Sequence, residues 1–131
     1  MSRPYIEHIG IIVDNLDRSI ALFESLFDIK PSGIKDMPDV GLKVARLSAE
    51  NIDIELIEYT SEAAFGKLVM GAERGLNHIS VKVENIESMV RDAEQRGIKA
   101  LEGFPRPGSH GLVAFFEPAT TEGILLEVCE R

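Results

Sequence analysis

The chain has 131 residues, long enough for one domain with a real core or for two half-domains sharing one, and its 44% hydrophobic and 27% charged content is that of an ordinary soluble globular protein. Its formal net charge of −8 argues against nucleic-acid and anionic-membrane partners, and no apolar run reaches bilayer-spanning length. A single cysteine, Cys129, cannot form an internal disulfide. With no signal peptide expected ahead of Tyr5, the expected location is a reducing cytoplasm.

In chain order, residues 5–13 are rich in β-branched side chains and predict a strand. Period two puts His8, Gly10 and Ile12 on one face and Ile9, Ile11 and Val13 on the other. From Asn15 the apolar period becomes helical (Leu16, Ile20, Phe23, Leu26, Phe27), with Asp14, Asn15 or Asp17 available as N-cap and Pro31 and Gly33 as terminators. Residues 41–47 and 52–59 predict two more strands around the polar turn Ala49-Glu50-Asn51, and Ile34 offers a fourth. Residues 61–70 predict a short connecting helix. A second strand–helix unit follows from Leu76, its helix running from Ile86 through Val90 and Ala93 to a left-handed cap at Gly97. Strands are predicted at residues 98–101, 112–116 and 124–130. A Gly/Pro-rich loop at 103–111 and a turn at 118–123 separate them.

The second unit repeats the first. Glu7-His8-Ile9-Gly10-Ile11-Ile12-Val13 matches Asn77-His78-Ile79-Ser80-Val81-Lys82-Val83, and both copies continue through an acidic turn into a helix. His8 and His78 are 70 residues apart, and Glu55 and Glu127 are 72 apart. Each glutamate sits between apolar neighbours in mid-strand, where a carboxylate is costly unless paired or bound to a cation. Two imidazoles and two carboxylates, with no thiolate, suit a divalent first-row metal such as Co2+, Mn2+, Ni2+ or Zn2+. Lys82 shares the parity of His78 and Ser80. Arg106 and His110 fall in the loop placed to cover such a site. Arg106, Lys35, Lys43 and Arg46 are candidates for a basic rim.

These residues resemble the vicinal oxygen chelate superfamily (glyoxalase/bleomycin resistance), and within it the methylmalonyl-CoA epimerase family, over nearly the whole chain. Residues 7–13 resemble its HIGIAV opening, and Gly75-Leu76-Asn77-His78-Ile79-Ser80 its GLHHIA segment, with Asn77 for the first histidine. Gly108-Ser109-His110-Gly111 resembles its GAHG loop, and residues 117–127 its HPKSTGGVLIEL, with Glu117 for the histidine. The resemblance implies an α+β fold: one domain, 1–131, of two βαβββ modules (about 1–70 and 71–131) forming a cup-shaped, partly open eight-stranded sheet. It implies metal ligands His8, Glu55, His78 and Glu127, with Co2+ the first choice of cation. Glu127 is the implied catalytic acid/base, with Asp39, in Pro38-Asp39-Val40-Gly41, or Glu55 as the second. Lys82, Arg106, Ser109 and His110 are the implied substrate contacts. The partners are an acyl-CoA thioester and a second copy of the chain.

Three other readings belong to the same superfamily. A glyoxalase I-like isomerase uses the same ligand set but a more compact turn before its last glutamate strand than Pro118-Ala119-Thr120-Thr121-Glu122-Gly123. A metal-free small-molecule-binding protein would commonly lose the ligand residues, which this chain keeps. Ring-cleaving dioxygenases present two histidines and one glutamate in a larger chain.

Overall fold

The computed structural model of the chain describes residues 3–62 and 64–130. Its elements run β1 (Tyr5–Ile12), α1 (Leu16–Phe27), β2 (Pro31–Met37), β3 (Leu42–Ser48), β4 (Asp53–Tyr59), α2 (Phe65–Met70), β5 (Gly75–Lys82), α3 (Ile86–Gln95), β6 (Arg106–Gly108), β7 (Gly111–Phe115) and β8 (Leu126–Glu130). A 3-10 turn at Pro118–Thr120 precedes β8. The strands hydrogen-bond in the order β2-β3-β4-β1-β5-β8-β7-β6. Two compact units divide within β1 and within β5: one holds His8–Asn77, the other the N-terminal residues through Glu7 together with His78 onward.

In the unit His8–Asn77, β1 runs parallel to β4, and β2-β3-β4 is an antiparallel meander. Helix α1 lies on one face of these strands, because Leu16 joins Ala45, Leu47 and Leu56 in a core that also takes Ile11, Val13, Ile20, Phe23 and Ile54. His8, Arg46 and Glu55 belong to the other parity and so to the other face. Asn15 caps α1 by accepting from the Arg18 amide, and the Leu16 amide donates to Glu58 Oε1 at 2.9 Å.

The second unit is built the same way. Here β5 runs parallel to β8, and β6-β7-β8 is antiparallel. Helix α3 buries Ile86 and Ala93 against Ala114, Phe116 and Val128. Asn85 caps it by accepting from the Ser88 amide, and the Ile86 amide donates to Glu130 Oε2 at 2.7 Å. Glu58 and Glu130 therefore do the same work in the two halves. So do the amides of Val13 and Val83, which donate at 2.8 Å to Ile57 and Cys129.

Four expectations are corrected. Helix α1 ends at Asp28, which takes a left-handed φ of 56° while its amide donates to Glu24, several residues before Pro31. Pro31 and Gly33 instead lie in β2, an outermost strand where a missing amide is tolerated. Residues 98–101 form no strand; only Ala100 bridges to Phe116. The presumed loop 103–111 contains a tight hairpin, with Gly108 paired to Gly111 and Ser109-His110 at its tip. Helix α2 starts at Phe65 rather than 61.

Helix α2 can seat where it does because residue 66 has no side chain. A Cβ on Gly66 would lie 2.6 Å from both Leu42 Cγ and the Val40 carbonyl oxygen. Gly66→Ala is expected to lower unfolding stability by about 1–3 kcal/mol, the ordinary penalty of overpacking, seen as a lower denaturation midpoint. Past α2, Tyr59 Oη donates to the Ala72 carbonyl at 2.6 Å and Asn77 Nδ2 to the Met70 carbonyl at 3.0 Å, fixing the approach to β5. Burial raises the Tyr59 phenol pKa despite the nearby Lys67 charge. Asn77 thus serves as a structural anchor.

Candidate functional site

In each unit a buried histidine and a buried glutamate belong to the parity opposite the residues that pack against its helix. In the first, β1 supplies His8 (3% exposed) and β4 supplies Glu55 (5%), with His8 Nε2 3.7 Å from Glu55 Oε1. In the second, β5 supplies His78 (7%) and β8 supplies Glu127 (5%), with His78 Nε2 again 3.7 Å from Glu127 Oε1. Both separations exceed the ordinary hydrogen-bond range. Both also fall inside the roughly 4.2 Å that two donors about 2.1 Å from a shared cation can span. The donor chemistry and the spacing of each pair therefore fit a divalent ion.

The surroundings of the two pairs differ. Glu55 faces Arg46 directly across the β3–β4 ladder, and Arg46 Nη2 donates to Glu55 Oε2 at 2.5 Å. Arg46 Nη1 donates to Asp53 Oδ2 at 2.7 Å. At the equivalent place in the second unit Glu127 faces Phe115. The Phe115 ring meets His78 edge-on at 5.1 Å and 84°. Arg46, 4% exposed, is thus no part of a solvent-facing basic rim. The signal was its position inside the apolar run Val44-Ala45-Arg46-Leu47, where a charge implies a buried partner.

The other candidate residues stand on several elements. Asp39 is exposed, in the turn that joins β2 to β3. Lys82 ends β5 in solvent, its ammonium 5.9 Å from the centre of the Tyr5 ring. Arg106 is half-buried in β6, and Ser109 and His110 are half-buried at the hairpin tip, 3.2 Å apart from Oγ to Nδ1. Lys35 is exposed on β2 and Lys43 half-buried on β3. Cys129, the single cysteine of the chain, is buried in β8.

Ser80 gains weight from the structure. It is fully buried, sits opposite Glu127 in the β5–β8 register, and its Oγ has no hydrogen-bond partner among the described residues. A buried orphan hydroxyl is destabilising. Ser80→Ala is therefore expected to raise stability by about 1 kcal/mol or more in denaturant titration.

The description that matches this sequence, over residues 7–116, is the Glyoxalase/Bleomycin resistance protein/Dioxygenase superfamily. The chain belongs to that superfamily. Human mitochondrial methylmalonyl-CoA epimerase is 26% identical over 94% of this chain and 72% of its own. A hypothetical protein from Bacillus halodurans, solved by crystallography, is 30% identical and superposes with a TM-score of 0.88 over 99% of this chain and 96% of its own. Crystalline methylmalonyl-CoA epimerase from Mycobacterium tuberculosis, 22% identical, superposes with a TM-score of 0.85 over 96% and 87%. The α+β superfamily fold that the resemblance implies is borne out. No described helix is long and apolar enough to cross a membrane.

Proposed function

We propose that this superfamily member is a metal-dependent epimerase that interconverts (2R)- and (2S)-methylmalonyl-CoA by removing and returning the α-proton. The observation that carries the reading is the matched pair of buried His–Glu contacts, 3.7 Å in each unit. Epimerase relatives support the substrate class; one solved structure, 23% identical with a TM-score of 0.85, is an epimerase with methylmalonyl-CoA and NH4+.

His8, Glu55, His78 and Glu127 are the proposed ligands of one divalent cation, Co2+ by resemblance, with Mn2+, Ni2+ or Zn2+ as alternatives. When bound, the cation supplies fixed positive charge that stabilises the negative charge developing on the thioester oxygen as the α-proton leaves. Glu127 takes that proton, and the C–H electron pair moves toward the carbonyl. Asp39 returns a proton to the opposite face of the α-carbon, inverting it. A base on one face and an acid on the other are the minimum for epimerisation, and two carboxyl groups meet it. Lys82, Arg106, Ser109 and His110 are the proposed contacts for the substrate's carboxylate and CoA portion, supplying local positive charge and hydrogen bonds against the overall −8. A cytoplasmic homodimer completes the proposal.

The test is chromatographic separation of the two methylmalonyl-CoA epimers, which are diastereomers because CoA is itself chiral, after (2S)-methylmalonyl-CoA is incubated with metal-free and with Co2+-loaded protein. Appearance of the (2R) epimer with the loaded protein alone is the expected result. Unchanged (2S)-methylmalonyl-CoA with Co2+ demonstrably bound would contradict it.

A further inference from the structure

We propose that Arg46 is a positioning residue that holds Glu55 in one orientation, so that only Oε1 is offered on the His8 side. Three observations carry this. Arg46 is 4% exposed, and a buried guanidinium is expensive unless several oxygens receive it. Asp53 Oδ2 at 2.7 Å and Glu55 Oε2 at 2.5 Å receive it, so the two Glu55 oxygens have different tasks: Oε2 to Arg46, Oε1 at 3.7 Å from His8 Nε2. The repeat also breaks at this point, since the residue across the ladder from Glu127 is Phe115, whose side chain offers no charged hydrogen bond. A charge-assisted bond from the guanidinium to Oε2 selects which Glu55 oxygen turns toward β3, as an aromatic ring does not. The arrangement makes Glu55 a one-oxygen ligand and keeps its second oxygen from taking a position that water or substrate would occupy.

This inference rests on the metal reading above, and the experiment separates the two. The probe is Mn2+ alone, bound to the full chain, with longitudinal relaxation of water protons reporting how many exchangeable waters the bound ion carries. In a six-position sphere four protein donors leave two waters. Arg46→Met frees the second Glu55 oxygen to displace one of them. Relaxivity per bound Mn2+ should then fall about twofold. Arg46→Lys keeps a buried cation against Oε2 and should retain the wild-type value. If Arg46→Met alone fails to fold, Arg46→Met with Asp53→Asn removes one charge of each sign and should show the same fall. Unchanged relaxivity in the Met variants, with wild-type protein binding Mn2+, overturns the role of Arg46 and leaves the metal reading standing. Wild-type protein that binds no Mn2+, Co2+, Ni2+ or Zn2+ overturns both.

Discussion

Replacing Glu127 with glutamine is expected to slow epimerisation by about 10²–10⁴-fold, the range associated with loss of a positioned general acid/base. The amide keeps the size of the side chain and one oxygen near His78, so the fold and the β8 pairing survive, while the capacity to accept the α-proton does not. Glu127 is 5% exposed and sits between the buried neighbours Val128 and Phe115, so no solvent carboxylate can readily substitute for it. Glu55→Gln should cost less in rate, because that side chain is held by Arg46 and carries no proton in this mechanism. Initial rates of both variants, compared at saturating metal, check the ordering. An E127Q enzyme as fast as wild type would place the base elsewhere.

The second large effect concerns the two histidines. His8→Ala and His78→Ala should each weaken Co2+ binding by about 100-fold or more, since losing a ligand should cost at least as much as losing a group that merely orients one. The two losses should be similar. Each histidine sits 3.7 Å from its glutamate and is almost completely buried, so neither environment marks one as the lesser ligand. Competition with a chromophoric chelator measures both constants on one scale. A site abolished by one substitution and untouched by the other would mean that only one unit supplies ligands.

The repeat made most of the fold legible. Because His8 and His78, Asn15 and Asn85, and Glu55 and Glu127 recur at nearly constant offsets, strand, cap and buried histidine and glutamate positions in one half forecast those in the other. Parity separated the two faces of β1, where Ile11 and Val13 pack toward α1 and His8 belongs to the other set. Long-range pairing was less visible. Nothing local in Arg46 says that its partners are Asp53 and Glu55; that follows from the β3–β4 register, which turn geometry and burial set together. The β6–β7 hairpin was hidden for a similar reason, because a three-residue strand of Arg106-Pro107-Gly108 has no period to read. Asp28 ended α1 earlier than proline and glycine suggested, since an aspartate can adopt the left-handed cap. That the Ser80 hydroxyl has no hydrogen-bond partner among the described residues is a property of packing alone.

Exchange of the α-proton of methylmalonyl-CoA in D2O, followed by NMR with chelated protein before and after Co2+ is restored, tests the central claim most directly. Deuterium uptake at the α-carbon that requires the restored metal, and that disappears in the Glu127→Gln variant, is the predicted result. A metal-loaded protein that leaves the α-proton in place would contradict proton abstraction at this site.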